Sequence, residues 1–317
     1  MTDFTQTLVT SLAVGSLYSL IALGYTMVYG ILKFINFAHS DVVVLGAWLS
    51  YVLATHLLPA IGIPVGHHLV PPLWAAGLVL LLTMSLAGTV GFIIEWAAYR
   101  PLRKAPRINV LITAIGVSLL LQNVGQLSFV FGASPQRMPD LIQNVELFRL
   151  SFGSGHVVIN LVDVLILLTA GTLMLALEFL VFRTKMGIAM RAVSFSTDNA
   201  ALMGVPVDRV ISVTFVIGAA LAAAAGFLYA LKYPSLNQPA HVIWVLVGLK
   251  AFVAAVIGGI GNLRGAVLGG FIIAAVEQFG SLYVSTAYRD VYVFALLIFI
   301  LLVRPNGILG SSIREKV

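Results

Sequence analysis

The chain has 317 residues, of which 60% are hydrophobic and only 9% are charged, and its formal net charge is +6. Ordinary soluble domains have about 25% charged residues, so a soluble fold could not bury this much apolar surface. Cysteine is absent, which excludes a disulfide framework and a thiolate metal site. The positive charge indicates nucleic-acid binding only if it is displayed as a patch, so its distribution along the chain has to decide.

The first apolar stretch, Phe4 to Leu32, contains no charged residue and exceeds the roughly 20 apolar residues that cross a hydrocarbon core. It has no basic leader and no clear cleavage site, so we expect a mature helix rather than a secretory signal. Further apolar stretches are Val42–Leu58, Pro71–Ile94, Ile108–Phe131, Val157–Phe182, Val210–Leu231, Val242–Ile260, Gly265–Val284 and Val291–Val303. The backbone finds no other hydrogen-bond partner in hydrocarbon, so the sequence predicts an all-α polytopic bundle of about eight to nine spans, as one transmembrane domain over residues 1–317.

Polar residues interrupt the apolar sequence between the first two stretches, where Asn36, His39, Ser40 and Asp41 lie close together. Such a cluster is typical of the broken or re-entrant helices of transporters, whose free backbone groups need polar partners. Both a structural role and a role in a substrate pathway are open, and we take Asn36, His39 and Asp41 as pathway candidates.

Two glutamines lie in the fourth stretch, and their spacing of four residues would place Gln122 and Gln126 on one helix face. Side chains of this type commonly form hydrogen bonds between membrane helices. The two residues are also candidates for the substrate pathway.

Two polar connections stand out by their length. Residues 132–156 begin with turn-forming residues and continue with mixed charges, which suits a solvated loop or a docking surface. Residues 183–209 contain Ser196 to Gly204, with capping residues at the start and Gly204 and Pro206 at the end. This pattern predicts a short helix on the membrane face, either a connector or an element that couples the spans to a partner.

Ionisable residues inside spans are costly and are therefore functional candidates. Asp163 and Glu178 lie near the ends of their stretch, which favours a structural role. Glu277 lies deeper and needs a partner or a water-filled cavity, and Lys250 is a candidate for that partner. Both residues are assigned to the substrate pathway.

Three glycines, Gly261, Gly265 and Gly269, recur at every fourth position and predict a helix face that packs closely against another helix. No Gly-Lys-Ser or Gly-Lys-Thr occurs in the chain, so a phosphate-binding loop is excluded and any ATP hydrolysis must come from another polypeptide. Neither a His-Glu-x-x-His metal site nor a Gly-x-Ser-x-Gly nucleophile motif is present, so no catalytic or metal site is predicted.

The basic residues sort strongly between the two sides if all nine stretches cross. One side has Lys33, Arg100, Arg103, Lys104, Arg107, Arg183, Lys185, Arg191, Arg209, Arg264, Arg304, Arg314 and Lys316, and the other has Arg137, Arg149, Lys232 and Arg289. The positive-inside rule then places the N-terminus in the periplasm and the C-terminus in the cytoplasm, with 132–156 as a periplasmic loop and 183–209 as a cytoplasmic region. This topology explains the positive charge without nucleic-acid binding. Attraction of the basic residues to lipid headgroups is a second contribution.

Several motifs together resemble the Liv-type branched-chain amino acid ABC permeases. The opening from Gly15 to Gly30, followed by Ile35-Asn36-Phe37-Ala38-His39, looks like the start of that family. The likeness continues through Arg191-Ala-Val-Ser, Asp198 to Val210, Thr214-Phe-Val-Ile-Gly218, Lys250 to Gly270 and the tail from Arg304 to Gly310. The family commonly has Gly after the His and then an acidic residue, whereas this chain has Ser40 before Asp41.

The resemblance implies an inner-membrane permease of a bacterial ATP-binding-cassette importer that works by alternating access. Its partners would be a second related permease, two cytoplasmic ATPase subunits that bind ATP and Mg, and a periplasmic binding protein, while this chain binds no cofactor. The cytoplasmic residues that would couple to the ATPase are Arg191, Ser196, Asp198, Asn199, Ala200, Ala201 and Gly204.

The substrate class is the least determined part of this interpretation. Branched-chain amino acids, other small amino acids, amides and urea are all compatible with the resemblance. An ion-coupled secondary transporter or channel that uses Asp163, Glu178 and Glu277 remains an alternative, as does a non-transporting assembly or receptor component.

Overall fold

The computed structural model describes residues 2–66, 70–103, 105–152 and 155–310. Lys104, Arg314 and Lys316, which the sequence analysis assigns to the basic side, lie outside these ranges. The α-helices are α1 (Thr2–Leu32), α2 (His39–Val52), α3 (Leu58–Ala60), α4 (Leu73–Ile94), α5 (Arg107–Gly125), α6 (Leu161–Arg183), α7 (Lys185–Phe195), α8 (Thr197–Leu202), α9 (Val207–Lys232), α10 (Val242–Gly258), α11 (Leu263–Tyr283) and α12 (Arg289–Val303). The strands are β1 (Gln136–Arg137), β2 (Glu146–Phe152), β3 (Gly155–Asn160) and β4 (Ser235–Leu236).

In the described ranges, 8 helical stretches are long and apolar enough to cross a membrane. They are Thr2–Leu32, His39–Ala60, Leu73–Leu102, Ile108–Gly125, Leu161–Arg183, Val207–Lys232, Leu263–Tyr283 and Thr286–Val303. The helix Val242–Gly258 is apolar but shorter. The all-α polytopic bundle of about eight to nine spans is therefore confirmed, and the chain is a multi-pass membrane protein.

Contacts between helix ends define two opposite ends of the bundle. At the amino-terminal end, Gln6 accepts a hydrogen bond from the backbone of Val158 at 2.8 Å, and Lys232 pairs with Asp163. At the carboxyl-terminal end, the Leu309 amide donates to Gly258 O at 3.0 Å. Helix α10 runs from the first end to the second, so its short apolar sequence also passes through the bundle.

The core of the bundle is formed by α1 and α9. In each of them 72% of the most apolar window is buried, against 17% for α5 and 6% for α12. The outer helices turn large apolar side chains outward, for example Leu120 of α5, Phe179 of α6 and Leu302 of α12. Large apolar side chains on the outside of a protein are expected where its surroundings are hydrocarbon or another membrane helix.

Two small antiparallel ribbons cover the amino-terminal end. Strand β1 pairs with β4, and β2 forms a hairpin with β3 in which Phe148 lies opposite Ile159. The hairpin changes one predicted boundary. Helix α6 begins at Leu161 rather than Val157, because β3 takes the preceding residues into the hairpin.

The fourth span ends earlier than the apolar pattern predicts. Helix α5 stops at Gly125, and the apolar residues up to Phe131 form turns instead. The Gly132 amide donates to Leu127 O at 3.0 Å, and Gly132 has a φ of +85°, which glycine adopts without steric cost. An apolar run alone could not distinguish this turn from a further helical turn.

The glycine repeat joins α10 to α11 in a tight hairpin. A Cβ on Gly265 would collide with the backbone of Gly258, and a Cβ on Gly269 would collide with Ala254 O. Gly261 lies outside the helix, in the turn before α11 with a φ of +93°, and no atom lies within 4 Å of its built Cβ. The close packing predicted for all three glycines is therefore made by two of them, while Gly261 provides the turn.

Candidate functional site

The break between the first two spans lies three residues before the polar cluster that predicts it. Helix α1 ends at Leu32, Lys33 has a φ of +57°, which is uncommon for a side-chain-bearing residue, and α2 begins at His39. His39 Nε2 lies 3.2 Å from Ile21 O, so α2 starts beside the interior of α1 rather than at a bundle end. Residues 33–38 therefore run irregularly inside the bundle, whereas His39 and Asp41 belong to the first turn of α2.

Asn36 is held inside the break by a tyrosine from another span. Its Oδ1 accepts hydrogen bonds from Tyr99 Oη at 2.7 Å and from the Ala38 amide at 3.2 Å. Tyr99 is buried and ends the π-helical segment Glu95–Tyr99, a local geometry that is frequent at functional sites. The sequence analysis missed Tyr99, because nothing in the local pattern separates it from the other tyrosines of the chain.

Asp41 faces α5 from the first turn of α2. Gln122 Nε2 donates to Asp41 Oδ1 at 2.9 Å and also lies 3.3 Å from Ser118 Oγ. The other carboxylate oxygen, Oδ2, is buried and has no hydrogen-bond partner among the described residues. Gln126 follows one turn later as the C-cap residue of α5. The structure thus brings two of the predicted pathway residues, Asp41 and Gln122, into direct contact.

Lys250 and Glu277 form the centre of a buried charge cluster. Lys250 Nζ lies 2.9 Å from Glu277 Oε1 and 2.7 Å from Asp290 Oδ1. The Tyr18 hydroxyl donates to Glu277 Oε2 at 2.8 Å, and Arg289 Nε lies 3.5 Å from Glu277 Oε1. These contacts join α1, α10, α11 and α12. The two pathway candidates are thus partners of each other, and among the described residues no group of His, Cys, Asp and Glu could hold a metal ion.

A narrow gap lies between α1, the break and α10. It is lined by Tyr25, Thr26, Tyr29, Ile35, Phe252, Ala255 and Ile260. The Thr26 hydroxyl is buried and has no partner among the described residues.

The short helix α8 lies at the carboxyl-terminal end, as predicted. Ser196 caps it by accepting a hydrogen bond from the Asn199 amide at 3.2 Å, and Gly204 ends it with a φ of +81°. Leu202 and Met203 are 85% and 84% exposed. Large apolar side chains exposed among polar groups are typical of a protein docking site.

Four of the remaining predicted coupling residues belong to α8 itself. Asp198 and Asn199 are exposed in its first turn, Ala200 is on its buried face, and Ala201 lines an open groove with Pro206. Arg191 lies in the preceding helix α7 and stacks over the ring of Phe182 at 5.5 Å from its centroid. The exposed members of the predicted set therefore lie on α7 and α8, whereas Ala200 packs inward.

An ion-pair network connects this surface to the π-helical segment. Arg100 Nη2 lies 2.6 Å from Asp208 Oδ2 at the start of α9, and Arg103 pairs with both Asp208 and Glu95. The fully buried Glu95 also accepts a hydrogen bond from the Ser212 hydroxyl at 2.6 Å. The base of α9 is thereby tied to the segment whose other end holds Asn36.

Comparison with known proteins identifies the family. Residues 7–301 match the family model described as the branched-chain amino acid transport system permease component. The chain is 42% identical over 320 residues to the high-affinity branched-chain amino acid transport system permease protein LivH of Escherichia coli (strain K12), covering 99% of this chain and 98% of that protein. It is 40% identical to the corresponding permease protein BraD of Pseudomonas aeruginosa, covering 99% and 98% of the two chains. The chain therefore belongs to the family of branched-chain amino acid transport system permease components.

Proposed function

We propose that this chain is the membrane-spanning subunit of an ATP-driven importer that moves branched-chain amino acids across the bacterial cytoplasmic membrane by alternating access. The observation that carries the proposal is the similarity over nearly the whole length to permease proteins named for this transport. The broken segment and the buried polar contacts of Asn36 and Asp41 support it, since discontinuous helices commonly form the substrate sites of transporters.

The energy for transport enters through partner chains. This sequence has no phosphate-binding loop, so ATP and Mg bind on two cytoplasmic ATPase subunits. The exposed Leu202 and Met203 of α8 form the surface on which an ATPase subunit docks. A second, related permease covers part of the apolar outer face, and a periplasmic binding protein docks on the ribbons at the opposite end.

The N-terminus faces the periplasm and the C-terminus faces the cytoplasm in this proposal. Most of the described Lys and Arg residues lie at the carboxyl-terminal end of the bundle, and basic loops remain on the cytoplasmic side. The chain has no cysteine, so single cysteines can report the sidedness. An Ile61→Cys variant should react with a membrane-impermeant maleimide in intact spheroplasts, and a Thr197→Cys variant only after permeabilisation. The reverse pattern would refute the orientation.

The decisive experiment is isolation of the tagged protein from its native membrane, followed by mass spectrometry and assays in proteoliposomes. We expect a second permease and ATPase subunits to co-purify, and leucine import to require ATP and a loaded binding protein. Recovery of this chain alone, with solute movement driven by an ion gradient, would refute the importer and favour a secondary transporter.

Docking at α8 has its own test. The double variant Leu202→Ser, Met203→Ser removes the exposed apolar contact without disturbing the bundle core, because both side chains are largely in solvent. We expect loss of the ATPase subunits from the purified complex, or ATP hydrolysis that the loaded binding protein no longer stimulates. Ile61→Ser, which changes a half-exposed apolar residue at the opposite end, is the control. Import at the rate of the unmodified complex in the double variant would exclude α8 as the coupling element.

A further inference from the structure

Asp41 is a buried carboxylate with one unsatisfied oxygen. The residue is only 4% exposed, and its Oδ1 accepts a hydrogen bond from Gln122 Nε2 at 2.9 Å. Its Oδ2 is shielded from solvent and has no hydrogen-bond partner among the described residues. The Ser118 hydroxyl also interacts with the carboxyl group, but Oδ2 has no hydrogen bond of normal geometry. A buried polar atom without a partner is costly, so this oxygen calls for a ligand or a functional explanation.

Within the described ranges, no Lys or Arg side chain forms an ion pair with this carboxylate. Lys250 of helix α10 already forms ion pairs with Glu277 and Asp290. Asp41 forms no ion pair within the described part of the chain, whereas Asp163, Glu178 and Glu95 each have a Lys or Arg partner. Asp41 thus differs from these three carboxylates in having neutral polar contacts but no cationic partner among the described residues.

Burial disfavours the ionised form of this carboxylate, and two features act against that effect. Gln122 donates a hydrogen bond to it, and the residue lies in the first turn of the 14-residue helix α2, where the helix dipole stabilises negative charge. Charged residues inside a membrane protein usually pair with an opposite charge, and a transported solute can supply that charge where the described part of the chain does not.

We propose that Asp41 Oδ2 receives the ammonium group of the transported amino acid, with Gln122 holding the carboxylate in place. The inference rests on the proposed function and adds to it, because it makes the permease selective for solutes with a primary ammonium group, in addition to any selection by the binding protein. An ammonium group donates charge-assisted hydrogen bonds, and it satisfies the buried oxygen and neutralises the charge in one contact. Amides and urea, which carry no positive charge, lack this interaction.

The test compares Asp41→Asn with the unmodified importer in proteoliposomes containing the whole complex and its binding protein, with L-leucine as the probe. Asn has nearly the same shape as a protonated Asp, so it preserves a purely hydrogen-bonding role and removes only the charge. We expect leucine import to fall about tenfold or more, the scale of losing one charge-assisted hydrogen bond, while ATP hydrolysis remains stimulated by the loaded binding protein. The control is Glu178→Gln, which removes a half-exposed carboxylate of α6 that pairs with Arg264. This variant should import leucine at the rate of the unmodified complex.

A second variant decides the case in which Asp41→Asn does not assemble. Gln122→Lys places an ammonium group beside Asp41, whose carboxylate favours its charged form, so the pair is satisfied within the protein and occupies the position proposed for the substrate. We expect an assembled complex with stimulated ATP hydrolysis and leucine import reduced about tenfold or more. Import at the unmodified rate in either variant would overturn the inference, and so would a parallel loss of import and of ATPase stimulation in Asp41→Asn. Failure of the unmodified complex to import leucine would instead refute the proposed function.

Discussion

Replacement of Lys250 by methionine is expected to destabilise the protein strongly, because it leaves a buried carboxylate without its main counter-charge. Lys250 and Glu277 have side chains that are 8% and 3% exposed, and the pair joins α10 to α11. After the substitution Glu277 keeps only the Tyr18 hydroxyl at 2.8 Å and Arg289 Nε at 3.5 Å. Breaking a buried pair from one side costs about 3–5 kcal/mol.

The other members of the cluster should cost less when they are replaced. In Glu277→Gln, Lys250 retains Asp290 at 2.7 Å, so we expect about 1.5–3 kcal/mol, the range for one hydrogen bond to a charged group. The Asp290 side chain is 45% exposed and screened by solvent, so Asp290→Asn should cost about 0–1 kcal/mol. The expected order of destabilisation is therefore Lys250→Met, then Glu277→Gln, then Asp290→Asn.

The double variant Lys250→Met, Glu277→Gln provides the sharpest measurement. It removes both charges, so no uncompensated ion remains, and its unfolding midpoint in detergent should lie above that of Lys250→Met alone. If the changes in unfolding free energy of the two single variants simply add in the double variant, the two residues are not coupled and the reasoning is refuted. Leucine import by the double variant at the unmodified rate would remove Lys250 and Glu277 from the substrate pathway and leave them a structural role.

Three further predictions follow from packing and hydrogen bonding. Gly269→Leu should abolish assembly, because a Cβ at this position would collide with the backbone of α10. Gly171→Leu on α6 is the control, since no atom lies within 4 Å of the position of a Cβ there. Size-exclusion chromatography should show an assembled protein for the control only. Tyr99→Phe removes one hydrogen bond to Asn36 and should slow leucine import about fivefold, equivalent to about 1 kcal/mol, with the complex still assembled. Arg103→Ala leaves the buried Glu95 without its cation and should lower stability by about 3–5 kcal/mol, and an unchanged unfolding midpoint would contradict the buried ion pair.

The sequence alone was sufficient for the class of protein, the approximate number of spans and the short capped helix near Ser196. These features depend on local chemistry: a membrane span needs a long apolar run, and a helix cap needs a side-chain oxygen two or three residues before a free amide. The sequence also suggested that Glu277 needs a partner and that Lys250 could supply it, because so few charged residues occur inside the spans.

Only the tertiary structure decided which distant groups meet. Tyr99 could not be recognised as the partner of Asn36, because the two residues belong to different spans and neither carries a local signal of the contact. The end of α5 at Gly125 and the start of α6 at Leu161 depend on turns and on a hairpin that follows apolar residues, where hydropathy does not distinguish helix from strand. The open oxygen of Asp41 is likewise a property of the assembled bundle, because an unsatisfied atom is defined by all the neighbours that packing does or does not bring to it.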